Sequence, residues 1–263
     1  MPFESIREIE PLAGYNFFEY RAKTTMGKLF TIAALLPARS ALACVTCNRE
    51  IQDAIYDSTF YPNLLTMLSA FIVLAIIVVI FTRLATKRYY ARLSARPAIK
   101  ELAATPLTSA AMVLGIGIGG FADGIVLHQI LQWHEMLTNK IPANTVVNKS
   151  VNMFWDGVFH AFTLIVTIIG IYLLWRLLKK DNINRSGYLL WGGILCGWGI
   201  FNIVEGVINH QLLELHNVNE FSPDPAVWNY GFLGFSVVLI LIGRVLLGKG
   251  KRAGLIIWTN ERE

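Results

Sequence analysis

The chain has 263 residues, of which 54% are hydrophobic and 16% are charged, and its mean hydropathy is +0.50. A soluble domain carries about 25% charged residues, so this composition excludes an ordinary soluble domain. The net charge of +5 does not indicate nucleic-acid binding, because the basic residues lie in short segments between long apolar runs. Three cysteines are too few for a disulfide scaffold.

The N-terminal region has the pattern of a signal peptide. Met26-Gly-Lys28 precedes a short apolar run, and Ala41-Leu-Ala43 stands directly before Cys44. We therefore expect residues 1–43 to be an N-terminal extension plus a signal peptide, with Met26 as the natural start and Cys44 as the mature N-terminus. Arg39 is unusual so close to a cleavage site, and the competing interpretation is a short buried or interfacial helix.

Five apolar runs follow, each near the roughly 20 residues that cross a hydrocarbon core of about 30 Å. We predict an all-α membrane protein whose last four helices form a bundle of two helix-pair repeats. Residues 44–105 hold the C-x-x-C segment, the first span and a basic cytoplasmic loop; 106–248 form the four-helix domain; 249–263 form a cytoplasmic tail. The predicted spans are about Leu64–Phe81, Leu107–Leu131, Val151–Leu174, Tyr188–Leu213 and Val227–Leu247.

Basic residues follow the first, third and fifth spans, and the opposite loops hold only Lys140 and Lys149. The positive-inside rule therefore places these basic segments and the C-terminus in the cytoplasm. Cys44 and Cys47 then face outward, which agrees with a cleaved signal peptide. The basic residues are Arg83, Lys87, Arg88, Arg92, Arg96, Lys100, Arg176, Lys179, Lys180, Arg185, Lys249, Lys251 and Arg252.

All five histidines and three acidic residues map to the outer half of the membrane in this topology. Ionisable groups inside a bilayer usually face a bundle interior or a water-filled cavity. Imidazole and carboxylate are also ligands of zinc, copper and iron. The eight residues are His128, His134, His160, His210, His216, Asp123, Asp156 and Glu205.

Part of this set belongs to an internal repeat. Asp123-Gly-x-x-x-His128-Gln-x-Leu-x-x-His134 reappears at identical spacing as Glu205-Gly-x-x-x-His210-Gln-x-Leu-x-x-His216. A weaker echo links Trp155-Asp156 to Trp228-Asn229. Both strong copies run in the same direction, so we expect two helix pairs related by a pseudo-twofold axis along the membrane normal, with the site between them.

Straight-helix geometry predicts layers within this site. Residues five apart, such as Asp123 and His128, point about 140° apart on an α-helix, and residues six apart, such as His128 and His134, about 120° apart. Asp156 and His160, four apart, share one face. We therefore expect an inner cluster of His128, His160 and His210 with Asp156 as a ligand or ligand-orienting partner.

The remaining polar residues are expected around that cluster. His134 and His216 are predicted nearer the rim, as weaker candidates for ligands. Asp123 and Glu205, with Gln129 and Gln211, are predicted to orient the histidines or relay protons. The competing interpretation is a polar network that only packs helices together.

Two further features have several interpretations. The glycines at 115, 117, 119 and 120 lie inside an apolar span with no preceding strand, so they predict helix packing and no nucleotide site. Cys44-Val-Thr-Cys47 is compatible with a disulfide, a redox pair or a soft-metal site, and Cys44 alone with lipidation. It is not a haem-attachment motif, because Asn48 replaces the required histidine.

The quoted motifs also carry a family resemblance. The segments Gly119–His134, Trp155–His160, Gly197–Gln211 and Leu215–Val218 resemble a bacterial family of predicted membrane proteins with a domain of unknown function, over about residues 106–248. Residues 44–81 resemble a small C-x-x-C-bearing membrane segment of the same proteins. The resemblance supports the four-helix domain and the positions of the His/Asp motifs, but it implies no activity. We expect a location in the bacterial cytoplasmic membrane, with the histidines facing outward and the C-terminus in the cytoplasm.

These observations favour an integral membrane metal-binding protein with an outward-facing His/carboxylate site that handles or uses copper, zinc or iron. A metal-dependent lipid hydrolase is one alternative, and a lateral opening of lipid size at the histidines would favour it. Haem-based electron transfer, with His128 and His210 as axial ligands, is another. The third is a structural or assembly subunit. The lipid bilayer and a membrane or periplasmic protein are the expected partners; no nucleic acid or nucleotide is expected.

Overall fold

The computed structural model of the protein describes residues 48–95, 99–180 and 182–257. The predicted signal peptide and the Cys44/Cys47 pair lie outside these residues. The elements of the described chain are α1 Arg49–Ile55, α2 Phe60–Ala95, β1 Ile99–Glu101, α3 Thr105–Ala122, α4 Val146–Leu177, α5 Gly187–Glu205, α6 Pro225–Ala253 and β2 Leu255–Ile257. Helices α3 and α5 continue directly into π-helical segments, here called π1 (Asp123–Ile130) and π2 (Gly206–Leu212).

The prediction of five membrane-spanning helices is confirmed. In the described chain α2, α3 with π1, α4, α5 with π2, and α6 are each long and apolar enough to cross a bilayer. Their polar ends extend past the apolar runs, because hydropathy marks only the part of a helix that is apolar.

The expectation of a basic loop after the first span is wrong for most of that stretch. Helix α2 continues to Ala95, so Arg83, Lys87 and Arg88 lie on its last turns. Arginine and lysine favour helix, which explains the continuation. The sequence also gave no sign of the short antiparallel pairing of β1 with β2.

Helices α3 and α5 form the centre of the bundle. Over half of the apolar window of each (56%) is buried, against 17–22% for α2, α4 and α6. Helix α4 packs on α3, and α6 packs on α5. The predicted arrangement of two helix pairs is therefore confirmed.

The two central helices cross at backbone contact. A Cβ atom added to Gly115 would collide with the carbonyl oxygen of Ile194, and one added to Gly197 would collide with that of Met112. Both contacts are related by the 82-residue offset that separates Asp123 from Glu205. Small residues let membrane helices approach this closely, so the glycines place the pseudo-twofold axis between α3 and α5.

The flanking helices obey the same symmetry. Gly170 of α4 abuts Leu114 of α3, and Gly243 of α6 abuts Cys196 of α5. The equivalent residues are 73 positions apart in sequence on the outer helices and 82 positions apart on the inner ones. Cys196 is buried at this contact.

Helix α2 breaks the symmetry by filling one groove, which lies between α4 and α5. Met67 and Leu74 of α2 are buried in the same apolar cluster as Phe159 of α4 and Val204 of α5. Phe71 adds a ring contact to Phe159 at a centroid distance of 5.9 Å.

The substitutions Gly115→Ala and Gly197→Ala are expected to lower the free energy of unfolding by about 1–3 kcal/mol each, because a methyl group would force the α3–α5 crossing apart. Gly234→Ala is the control, since an added Cβ there meets no atom within 4 Å. Thermal unfolding in detergent measures the effect. Equal midpoints for all three variants would contradict the close crossing.

Candidate metal centre

Four histidines and three carboxylates gather where π1 and π2 meet the start of α4. All seven side chains are buried, and His134 and His216 are only 2% and 0% exposed. These two histidines therefore lie inside the cluster. The prediction that placed them nearer the rim is wrong. The members of this group, called here the His cluster, are His128, His134, His210, His216, Asp123, Asp156 and Glu205.

The π-helical segments explain why Asp123 and His128 meet. In a π-helix the hydrogen bond runs from residue i to i+5, so residues five apart stack on one face. The Leu131 amide accordingly donates to the Val126 carbonyl at 2.9 Å, and the Leu213 amide to the Ile208 carbonyl at 2.8 Å. The angle of about 140° expected from an α-helix does not apply here.

The chain then reverses at the same position in both repeats. Gln132 and Glu214, each nine residues after the acidic residue of its motif, have left-handed backbones with φ of 50° and 47°. The Trp133 amide donates to the Leu127 carbonyl, and the Leu215 amide to the Asn209 carbonyl. Each of these bonds joins residues six apart, one residue wider than the corresponding bond of a Schellman helix end. The reversal turns His134 and His216 back toward the bundle axis.

His134 and His216 are held by a reciprocal pair of hydrogen bonds across the pseudo-twofold axis. The His134 Nδ1 donates to the Val218 carbonyl at 2.9 Å, and the His216 Nδ1 to the Met136 carbonyl at 2.9 Å. The two rings stack with centroids 4.5 Å apart. A carbonyl only accepts, so each Nδ1 carries the hydrogen, and in a neutral ring each Nε2 presents a lone pair.

Asp156 fixes His128 in the same way. Its Oδ1 accepts from the His128 Nδ1 at 2.9 Å and from the Met136 amide at 2.9 Å. The equivalent Asn229 accepts from the Val218 amide at 2.9 Å. The weak repeat of Trp155-Asp156 as Trp228-Asn229 therefore reflects a shared role: Asp156 and Asn229 accept from equivalent backbone amides.

The two halves differ where their acidic residues differ. The Glu205 Oε1 lies 3.0 Å from the His210 Nε2 and 3.2 Å from the His216 Nε2. The shorter Asp123 places its Oδ2 3.3 Å from the His128 Nε2. One extra methylene thus lets the second repeat join two histidines through one carboxylate.

Several buried polar atoms of the cluster have no hydrogen-bond partner within the described residues. Two sets of three donor atoms converge, each set within 4.8 Å: His128, His134 and His216, and Glu205, His210 and His216. His216 belongs to both sets. The unpaired atoms are Asp123 Oδ1, His128 Nε2, His134 Nε2, Glu205 Oε2, His210 Nδ1 and His210 Nε2.

His160 lies apart from these converging sets. It is half-buried, and its Nδ1 donates to the Asp156 carbonyl at 2.7 Å, one helical turn back. Its ring packs on Gly124, where the second repeat packs Leu233 on Gly206. The repeat offset of 73 already pairs His160 with a leucine, and this was the available sign that His160 stands outside the symmetric core.

The glutamines lie at the edge. Gln129 reaches the Asp156 Oδ2 at 3.4 Å, and Gln211 makes no side-chain hydrogen bond within the described chain. Sequence reasoning missed the carbonyls of Met136 and Val218, because a backbone acceptor leaves no mark in residue identity. Their positions are nevertheless regular. Met136 follows His134 by two residues and accepts from His216, and Val218 follows His216 by two residues and accepts from His134.

The loop after π1 holds two residues, His134 and Glu135, whose pKa values are shifted by their surroundings. Burial lowers the pKa of His134 well below its ordinary value, and the nearby histidines lower it further. Burial raises the pKa of Glu135, whose carboxylate lies 3.8 Å from the Lys149 Nζ. A cavity of about 500 Å³, whose lining includes His134, Glu135 and Lys149, lies at this end of the bundle.

The fold and the cluster together define an integral membrane helical bundle with a buried His/carboxylate core. The chain belongs to the DUF2243 family of predicted membrane proteins, whose model matches residues 110–250 and so includes the whole cluster. Comparison with curated proteins and with solved structures found no match.

Asp156→Asn is expected to leave stability nearly unchanged, because the amide oxygen still accepts from Met136, as Asn229 does in the other repeat. Asp156→Leu leaves two buried donors without an acceptor and is expected to destabilise by at least about 1–3 kcal/mol. Thermal unfolding midpoints compare the two variants of Asp156. Asn229→Leu makes the equivalent change in the other repeat, where it removes the acceptor for the Val218 amide. If the Asn and Leu variants of Asp156 were equally unstable, the hydrogen-bonding role would be wrong.

Proposed function

We propose that this protein binds a transition-metal ion within its His cluster and uses or handles that ion in the membrane. The observation that carries the proposal is the convergence of buried histidine and carboxylate donor atoms in two sets of three, each set within 4.8 Å. His216 is the centre of the site, because it belongs to both sets of converging donors.

Electrostatic repulsion makes the cluster unfavourable without a cation. The Nδ1 hydrogens of His134 and His216 are already donated to carbonyls. The His216 Nε2 nevertheless lies 3.2 Å from the Glu205 Oε1, so two lone pairs face each other unless a proton or metal ion intervenes. No lysine or arginine pairs with Asp123, Asp156 or Glu205 in the described chain, and burying charge without compensation is strongly unfavourable.

The surroundings resemble the outer shell of known metal sites. Metal-bound histidines generally donate their second ring nitrogen to a carboxylate or a backbone carbonyl, which fixes ring orientation and tautomer. His128 does so with Asp156, and His134 and His216 do so with carbonyls. Nitrogen and carboxylate donors favour zinc, copper(II) or iron.

The packing of the rings weighs against haem. The centroids of His128 and His134 are 4.3 Å apart, and those of His210 and His216 are 4.7 Å apart. A porphyrin between His128 and His210 would need the space that the His134 and His216 rings fill. A bare ion needs no such space.

We further propose that the cluster faces outward. It lies at the end of the bundle opposite Arg88 and Lys251, which line a common cavity beside Thr105 at the start of α3. The positive-inside rule assigns that basic end to the cytoplasm. The cavity lined by His134, Glu135 and Lys149 would then admit ions from the outer aqueous phase.

Metal-dependent hydrolysis of a lipid is the second candidate function. Its specific support is an apolar cavity of about 590 Å³ that lies between α3 and α6 and is lined in part by Asp123. A metal-bound water beside that carboxylate would meet the ester or amide of a bilayer lipid.

Purified protein is expected to hold one zinc, copper or iron ion per chain, measured by elemental analysis after metal reconstitution and desalting. His216→Gln is expected to weaken the metal affinity by more than about a hundredfold, above the ten- to hundredfold typical of outer-shell partners. Each variant is titrated with the ion that the wild type retains.

His160→Gln is the matched control, because it also removes one histidine from this end of the bundle but lies outside the converging donors. It is expected to keep the wild-type metal content. A wild-type protein that stays folded yet binds no ion stoichiometrically would contradict the proposal, and so would equal metal loss in both variants.

A further inference from the structure

The apolar cavity between α3 and α6 is the pseudo-twofold equivalent of the groove that α2 fills. Its lining residues Ala122, Trp228 and Phe232 correspond to Val204, Trp155 and Phe159 of the filled groove. Contact with α2 leaves Trp155 only 1% exposed, whereas Trp228 is 40% exposed. No helix of the described chain covers this second groove, called here the open groove.

The open groove differs from its filled counterpart at a few positions. Asn202 replaces Gly120, Trp198 replaces Ile116, and Trp133 replaces Leu215 under the 82-residue offset. The filled groove is an apolar surface that receives a helix. The open groove instead has bulky aromatic walls, and both the buried Asn202 and Asp123 line it.

Both polar residues of the open groove have unused hydrogen-bonding capacity. Within the described chain, the Asn202 Oδ1 and the Asp123 Oδ1 are buried and have no hydrogen-bond partner. Asn202 is 2% exposed, and its side chain makes no hydrogen bond with any described residue. Buried polar groups in proteins are normally paired, so this pair of groups points to a partner from outside the chain.

The size of the cavity favours a small molecule over a membrane-spanning helix. Its volume of about 590 Å³ lies within the roughly 300–1,000 Å³ of small-molecule sites. Trp133 and Trp198 also fill space that the filled groove leaves to α2.

We propose that the open groove binds a lipid-soluble alcohol or phenol that enters sideways from the bilayer. Trp228, Phe232 and Phe235 would contact its apolar body. Its hydroxyl group would donate to the Asp123 carboxylate and pair with the Asn202 amide. The inference does not depend on a metal ion, although Asp123 also borders His128 and would connect a bound hydroxyl group to the His cluster.

Tryptophan quenching by brominated probes tests this site, because Trp133, Trp198 and Trp228 line it. The full chain in nanodiscs is titrated with 12-bromododecan-1-ol, with a brominated alkylphenol and with 1-bromododecane, before and after treatment with a chelator. Saturable quenching is expected for at least one hydroxyl probe and not for the alkane, with or without metal. Which hydroxyl probe binds more tightly distinguishes a lipid alcohol from a quinol-like phenol.

Two variants localise the signal. Asn202→Leu loses no internal hydrogen bond and is expected to weaken binding of the hydroxyl probe roughly threefold to tenfold. Gly231→Phe fills the open groove and is expected to abolish saturable quenching. Gly234→Phe on the same helix is the control, since Gly234 does not line the groove and an added Cβ there meets no atom within 4 Å.

Equal quenching by the alkane and both hydroxyl probes would overturn the inference, and so would equal behaviour of Gly231→Phe and Gly234→Phe. If Gly231→Phe dissociated an oligomer while no probe bound saturably, the groove would belong to a partner helix and the inference would also be wrong. Loss of metal binding with probe binding intact would refute only the proposed function.

Discussion

The close crossing of α3 and α5 is the constraint on which the rest of the structure depends. Gly115 and Gly197 bring the two backbones into contact, so the C-terminal halves of both helices emerge side by side. Each half then carries its acidic residue and its histidines to the same end of the bundle. Larger residues at the crossing would separate the motifs, and the reciprocal hydrogen bonds of His134 and His216 would be lost.

The centre of the bundle follows the pseudo-twofold symmetry, but the two repeats differ at several residues of the His cluster and in the grooves beside it. Asp156 in one half corresponds to Asn229 in the other, and Asp123 corresponds to the longer Glu205. The cluster therefore has three carboxylates in place of four, and one of them contacts two histidines. Outside the cluster, α2 fills one groove and leaves its equivalent open beside Asp123.

Much of the fold could be predicted from the sequence, because bilayer thickness and repeat spacing leave few alternatives. Five spans, two helix pairs and the gathering of Asp123, His128, Glu205 and His210 at one end all follow from those patterns. The inner order of the cluster could not be predicted from an ideal α-helix. Residues five apart share a face only in the π-helical geometry of π1 and π2, which hydropathy does not reveal.

The predicted position of His134 and His216 nearer the rim was wrong for a related reason. Each lies two residues after a residue with a left-handed backbone, Gln132 or Glu214. Because neither of these residues is glycine, the sequence does not indicate that the chain reverses there. Their partners are backbone carbonyls, which have no signature in the sequence. His160 was grouped with the cluster because it shares a face with Asp156, although its repeat equivalent is Leu233.

Metal binding at the His cluster is tested by anomalous diffraction at the absorption edge of the bound metal. We expect a peak beside the Nε2 atom of His216, within one of the two converging sets: His128, His134 and His216, or Glu205, His210 and His216. A peak elsewhere, such as at Cys44 and Cys47, or a cluster without any metal peak in protein that carries a stoichiometric ion, would contradict it.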